Sequence, residues 1–448
     1  MRTLNNLFYN VPKKCVSQLS LSARSLNFTP CAASSAQRRD LADNGKVRCR
    51  FISTGGVSSF VRCQSASSGL QQELPERRIL RSHSTVTPSV PKAAVKTAVS
   101  KDLSREFMAR FPDLVRDLTE AGRHLDIPEV TKWFAKVLQY NVPGGKKNRG
   151  LAVVSAYQIL TPPEKQTEAD IRMAHILGWC VEMLQAFLLV EDDIMDHSKT
   201  RRGRPCWYQL EEVGTSQAIN DGILLEQGIY QILRRHCKNQ PYYLDLLELF
   251  HDVTFKTTMG QSLDISTSNS INRETNRLDK FTMDRYNAIV KYKTAYYSFH
   301  LPIAIAMYMV GINDQEIHRQ AKIILLEMGH FFQVQDDFLD CYGEPEITGK
   351  IGTDIEDGKC SWLAVVALQR ATPSQRALLE QCYGYNDPEK VAAVKQVYQQ
   401  LGLPQIYSRY EEDSYNLIST HIQQLSTTRG LHHELFFKVL EKIYRRES

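Results

Sequence analysis

The chain has 448 residues, 42% of them hydrophobic, with 55 Lys+Arg against 50 Asp+Glu. That composition supports one large core or two to three ordinary domains; no unbroken apolar run reaches a membrane span, the best candidate being LPIAIAMYMVG at 301–311, which is short and holds a proline. Ten cysteines without a CxxC pair argue against a zinc site and against a disulfide framework.

The charge of +5 is unevenly spread, because residues 1–100 hold 15 Lys/Arg and only 4 Asp/Glu, the first acid being Asp40. An Arg- and Ser-rich, acid-poor leader with spaced basic residues has the composition of an organelle transit peptide. The alternative is a disordered basic tail for anionic partners. Arg2, Arg24, Arg38, Arg39, Arg48 and Arg50 favour the mitochondrion over the plastid. Residues 1–95 are therefore expected to be a transit peptide and disordered leader, cleaved somewhere after about position 50. A shorter form made without it would be cytoplasmic.

From about Leu103 the pattern turns helical, as in REFMARFPDLVRDLTEAG, and strand signals are nearly absent. Gly- and Pro-containing loops punctuate it: VPGGKKNRG at 142–150, TPPEKQ at 161–166, RRGRP at 201–205 and YGEPEITGKIG at 342–352. This predicts a single all-α domain over 96–448. Two segments, ILGWCVEMLQAFLLV (176–190) and IILLEMGHFFQV (323–334), are apolar on nearly all faces. Such helices belong at the centre of a large bundle. The first runs into DDIMD (192–196) and the second into DDFLD (336–340).

In each DDxxD the first and last aspartates share one helical face, a turn apart. Buried unpaired carboxylates cost several kcal/mol each, roughly, so cations are required beside Asp192, Asp193, Asp196, Asp336, Asp337 and Asp340. One DDxxD alone is more often a solvated helix end. Two, each closing a wholly apolar helix, predict oxygen ligands for Mg²⁺ that in turn holds a polyphosphate. Basic residues follow in glycine-containing loops: Arg201 and Arg202, Lys350 and Lys359, and Lys146 and Arg149. Singly each would be a solvated surface cation; together they favour diphosphate binding. The glycine-rich nucleotide loops are absent, which disfavours ATP or NAD.

The stretches LVEDDIMDHSKTRRGRPCWY, GQSLDIS, VKYKTAYYSFHLP and GHFFQVQDDFLDCYGEPEITGKIGTDIEDGKCSW closely resemble the farnesyl diphosphate synthases, members of the trans-isoprenyl diphosphate synthases; EEDSYNLI and KIYRR nearer the C-terminus also fit. The resemblance covers about residue 100 to the end. It implies an all-α bundle of the isoprenoid synthase type around a deep central cavity, a homodimer, and a Mg²⁺-dependent prenyltransferase. The substrates would be isopentenyl diphosphate with dimethylallyl and then geranyl diphosphate, with neither nucleic acid nor membrane span involved. The six motif aspartates would bind three Mg²⁺, which Mn²⁺ can replace. Arg201, Lys293 and Lys350 would clasp the allylic diphosphate, with Thr294, Gln333 and Lys359 nearby. Lys146, Arg149, Gln185 and Arg202 would hold isopentenyl diphosphate, and Gln261 and Asp264 would line the cavity. Chemistry would run by ionisation, condensation and elimination, with dipoles around Lys293, Thr294 and Gln333 steadying the allylic cation.

Four departures from the resemblance stand out. Leu188 occupies the place of the second of two aromatics, Glu191 adds an acid beside Asp192, His300 replaces a frequent aromatic, and Glu447 and Ser448 extend the tail. None removes a metal or diphosphate residue, so they bear on product length more than on activity. Phe187 and Leu188 would form the cavity floor, and the leucine should loosen it enough for minor C20 product. The alternatives are a geranyl or geranylgeranyl diphosphate synthase, a terpene synthase on the same scaffold, and a silent subunit. The intact second DDxxD and the intact Lys146, Arg149 and Arg202 set count against the last two.

Overall fold

The computed structural model describes residues 102–122, 126–269, 278–344, 352–426 and 430–444. The expected leader and Lys350 lie outside them. The described residues are all-α apart from one small hairpin. In chain order the helices are α1 (Phe111–Gly122), α2 (Pro128–Asn141), α3 (Asn148–Leu160), α4 (Glu168–Met195), α5 (Gly214–Cys237), α6 (Tyr243–Ser268), α7 (Met283–Ile289), α8 (Leu301–Met309) and α9 (Gln315–Tyr342). There follow α10 (Trp362–Arg370), α11 (Pro373–Cys382), α12 (Pro388–Gln400), α13 (Leu403–Gln424) and α14 (His433–Ile443). A π-helical segment, Val290–His300, joins α7 to α8 without a break. The hairpin pairs β1 (Thr200–Arg201) antiparallel with β2 (Arg204–Pro205).

The two apolar helices take the central places their composition demands. The N-cap Thr167 accepts a hydrogen bond from the Asp170 N–H to start α4, and Asp314 accepts from the Glu316 and Ile317 N–H groups to start α9. Beyond the caps, Leu177, Trp179, Val181 and Met183 of α4 are fully buried, as are Leu325 and Met328 of α9. A helix with no polar stripe can only be satisfied by neighbours all round; α3 and α5 pack on α4, while the π segment and α13 pack on α9. Helix α4 is also long and apolar enough to cross a membrane, and 67% of that stretch is buried inside the bundle. Counting unbroken apolar runs pointed instead to 301–311, because His175 and Glu182 interrupt the α4 run; both are buried polar residues.

The π segment is wedged between α6 and α9. A Cβ on Gly260 of α6 would lie 2.6 Å from the Tyr292 carbonyl carbon and 2.7 Å from the Lys293 Cα. On the other side, a Cβ on Gly329 of α9 would lie 2.7 Å from the Ala295 Cα. Both glycines let helix backbones touch. Wide i→i+5 turns of this kind recur at functional sites, and here the neighbours Lys293 and Thr294 reach opposite partners: Lys293 pairs with α4 and α6, Thr294 with α9.

Candidate active site

The acid run of α4 sits at the helix C-terminus, the end where the helix dipole favours cations. The fold supplies them. Arg201, held on β1, donates to Asp193 Oδ1 through Nε at 2.9 Å and through its terminal nitrogen at 2.6 Å, and reaches Asp192 at 3.5 Å. The Lys293 ammonium lies 2.6 Å from Asp264 and 3.1 Å from Asp192. Lys359 lies 2.6 Å from Asp196, the residue that caps α4, and 3.5 Å from Asp264. Gln261 donates to Asp192 at 2.9 Å.

Electrostatics sort these groups. Burial pushes the Asp192 carboxyl up, but Lys293, Lys359 and Arg201 outweigh it and hold the pKa below the usual value. Asp264 is likewise held down, by Lys293 and Lys359 against burial. Burial opposes the Lys293 charge, yet Asp192, Asp264 and Asp196 keep its pKa above that of an ordinary lysine. Asp196 is raised, first by burial and then by repulsion from Asp192. Asp193 is raised chiefly by burial.

The second motif divides in two. Asp337 is buried: its Oδ2 accepts from the Tyr286 hydroxyl and the Trp362 N–H, both at 2.8 Å, and its Oδ1 from Gln333 at 2.9 Å. Burial lifts its pKa to about 7. Asp340 accepts from the Asp354 N–H at 3.0 Å. Residues 354–362 are thus pinned to α9 at both ends, and Lys359 between them reaches across to Asp196 on α4. That segment ties the two acidic helix ends together. Gln333 also accepts from the Thr294 hydroxyl at 3.0 Å, so half-buried Thr294 and Gln333 form one chain with buried Asp337.

The expected convergence of six carboxylates therefore takes a different form. Asp193 and Asp337 are committed to Arg201 and to the Tyr286–Gln333–Trp362 set. Among the described residues no three His, Cys, Asp or Glu side chains crowd closely enough to hold an ion unaided. Asp192 with Asp196 and Asp336 with Asp340, each a turn apart on one helical face, suit Mg²⁺, which takes one or two carboxylates and completes its shell with water and phosphate. The repulsion that raises Asp196 is of the kind a cation relieves.

A second cluster is basic. Lys146, Arg149, Gln185 and Arg202 all line a cavity of about 350 Å³ that extends to Lys442 on α14. Arg202 and Gly203 both have positive φ, 55° and 71°, which closes the β1–β2 turn and aims Arg202 back at the loop before α3. There its guanidinium donates to the Gly144 carbonyl at 2.5 Å, and it fills the space that Cβ atoms on Gly144 and Gly145 would take. Arg149 donates to the Ser298 hydroxyl at 2.9 Å and to the Tyr297 hydroxyl at 3.2 Å, and lies 4.8 Å from the Tyr297 ring centre. With its amide turned, Gln185 accepts from Arg149 at 2.8 Å and donates to Glu182. Glu182 accepts from the Gly150 N–H at 2.8 Å, fixing the start of α3 against α4.

Tyr297, which Arg149 of the basic cluster contacts, itself lines another cavity, about 250 Å³, together with Phe187, Leu188, Glu191, Asp192, Gln261, Lys293 and Thr294 among others. Its α4 wall combines the acids Glu191 and Asp192 with the apolar Phe187, Leu188 and Met195.

The sequence pattern of the polyprenyl synthetase family matches residues 131–401. The chain belongs to the polyprenyl synthetase family. It is 55% identical over 350 residues to the farnesyl pyrophosphate synthase of Nezara viridula, covering 78% of this chain and 84% of that one. The Gallus gallus farnesyl pyrophosphate synthase is 51% identical over 344 residues, 77% of this chain and 92% of its own. Among solved structures, Trypanosoma brucei farnesyl diphosphate synthase complexed with minodronate superposes with a TM-score of 0.71 at 34% identity, over 77% of this chain and all of that one. The polyprenyl synthetase bundle described here is accordingly the all-helical isoprenoid synthase fold.

Several residues of this site escaped the sequence reading. Lys147 is buried, has φ 57°, and donates to the Gly144 and Gly145 carbonyls; burial brings its pKa down to about 8. Tyr297 and Ser298 sit inside the VKYKTAYYSFHLP stretch, where the sequence alone assigned neither a role. Glu182 and Tyr286 had no local signal, since each acts on a partner far along the chain. Asp264, expected only to line the cavity, is the shared acceptor of Lys293 and Lys359.

Proposed function

We propose that this protein is a farnesyl diphosphate synthase: it condenses isopentenyl diphosphate head to tail with dimethylallyl diphosphate, then with geranyl diphosphate. The observation that carries the reading is the pair of cavities linked by the Arg149–Tyr297 contact, one lined by basic side chains and the other by acids and apolar residues of α4. Lys146, Arg149 and Arg202 suit the diphosphate of isopentenyl diphosphate, with Gln185 and Glu182 holding Arg149 in place. The acid-headed cavity suits the allylic substrate, its tail running toward Phe187 and Leu188. The 50–55% identity to curated farnesyl pyrophosphate synthases supports the C15 product over the geranyl and geranylgeranyl alternatives.

Asp192, Asp196, Asp336 and Asp340 would hold Mg²⁺, three ions by the family resemblance, and Asp193 and Asp337 would orient Arg201 and Gln333. The metal supplies charge stabilisation for the departing diphosphate. The rest falls to the chain. Lys293 and Lys359, with Arg201, add positive charge at the leaving group. Gln333 Oε1 and the Thr294 hydroxyl present their dipoles to the allylic carbon, and the surrounding apolar wall keeps water from the cation. No nucleophilic side chain is required; the proton lost on elimination goes to the released diphosphate.

A homodimer would cover Ile219 and Ile223 of α5 and Phe255 and Met259 of α6, large apolar residues exposed one turn apart on adjacent helices; sedimentation would show it. Residues 1–95 would direct a reporter to mitochondria, and a diffuse signal would count against that. The activity itself is tested by incubating the protein with Mg²⁺, isopentenyl diphosphate and labelled dimethylallyl diphosphate. Farnesyl diphosphate is expected; a cyclised or uncoupled product would favour the terpene synthase alternative.

A further inference from the structure

The acid-headed cavity is not apolar throughout. Glu191 lines it, although the reading of the cavity as a prenyl pocket has no use for a second acid there beside Asp192. Its Oε1 is buried with no hydrogen-bond partner, and so is the hydroxyl of Thr257, which lines the same cavity from α6. A buried polar atom left unpaired is costly, so the position is kept by packing rather than by a bond. What holds it is visible on α5. A Cβ at Gly222 would lie 3.0 Å from the Glu191 carboxyl carbon and closer still to Oε1. The missing side chain at 222 is a notch, and the Glu191 carboxyl occupies it.

We infer that Glu191, seated in the Gly222 notch, is a determinant of product length: parked there it leaves the cavity depth a C15 chain needs, and its bulk closes the space a C20 chain would need. The notch gives the inference two opposite consequences. Removing the carboxyl opens volume beside Phe187 and Leu188. Filling the notch drives the carboxyl out, and the cavity that Glu191 lines is the open volume available to it, so the tail space shortens. The inference rests on assigning this cavity to the growing tail.

The test is product analysis of the purified protein with Mg²⁺, isopentenyl diphosphate and dimethylallyl diphosphate, reading C10, C15 and C20 alcohols after dephosphorylation. Glu191→Ala should raise the C20 to C15 ratio about tenfold, the discrimination a small change of apolar pocket volume provides. Gly222→Ala should raise the share of C10. Glu191→Gln, which keeps the shape, should keep the C15 product. In the double variant the shortening should vanish, because no carboxyl remains to be displaced. Phe187→Ala is the control for the cavity, and should give C20. If Phe187→Ala lengthens the product while Glu191→Ala does not, the inference falls and the cavity assignment stands. If neither changes it, both fall. Shortening by Gly222→Ala that persists in the Glu191→Ala background also overturns it, since the displaced group would then be something else.

Discussion

Gly260→Ala is the sharpest perturbation of the catalytic geometry, because it adds one methyl group between two helix backbones and removes no polar group. The methyl would meet the Tyr292–Lys293 backbone at 2.6 to 2.7 Å, where ordinary contact begins at 3.4 Å. Helix α6 and the π segment must then part by about 1 Å, the scale of misplacement that costs on the order of 10²-fold in rate. Lys293 rides on that backbone. Its 3.1 Å contact with Asp192 would be lost, and its 2.6 Å contact with Asp264 stretched. Stability moves less: overpacking costs about 1–3 kcal/mol, and alanine regains about 1 kcal/mol of helix propensity over glycine. Steady-state condensation of isopentenyl with geranyl diphosphate should show kcat down about 10²-fold with the KM for isopentenyl diphosphate little changed, in a protein whose circular dichroism matches the parent. Wild-type kcat in folded Gly260→Ala would refute the claim that this contact positions Lys293.

Asp192→Ala and Asp336→Ala should each lower turnover at least 10²-fold, as loss of one electrostatic stabiliser does; near-normal turnover in EDTA would contradict the metal assignment. Arg202→Ala should chiefly raise the KM for isopentenyl diphosphate, and Lys293→Ala should chiefly lower the ionisation rate, each by about 2–5 kcal/mol; equal effects on both substrates would remove the division of labour. His300 is buried and its pKa is brought down from 6.5 to about 3, so the folded protein refuses a proton that the unfolded chain accepts below pH 6.5. Stability is therefore lost as pH falls below 6.5, by about 2 kcal/mol at pH 5, and His300→Phe should flatten that acid limb of the melting curve. Parallel pH–Tm curves would sink this.

The bundle was legible because its signals are periodic and local. Two segments apolar on every face could only be central, and two DDxxD runs at their ends could only be functional once cations were found beside them. What escaped is what depends on contact across the chain. The partition of Asp193 and Asp337 from the other acids follows from Arg201 on β1 and from Tyr286 and the Trp362 N–H, none within the motifs themselves. The π segment has no composition that separates it from an α-helix, since VKYKTAYYSFH reads as ordinary helix; the backbone contacts at Gly260 and Gly329 mark it only in three dimensions. Nothing in VPGGKKNRG separates Lys147 from Lys146, yet it is turned inward onto the Gly144 and Gly145 carbonyls. Glu191 was noticed as an extra acid, but the Gly222 notch that gives it meaning lies 31 residues away on another helix.

The central claim is that the two diphosphates occupy separate cavities, linked by the Arg149–Tyr297 contact. A crystal structure of the protein with Mg²⁺, isopentenyl diphosphate and a non-ionisable thio analogue of geranyl diphosphate tests it directly. The account predicts the isopentenyl diphosphate group on Lys146, Arg149 and Arg202. It predicts the allylic diphosphate between the two acidic helix ends, with the tail pointing at Phe187 and Glu191. Both ligands in one cavity, or a tail directed away from α4, would contradict it.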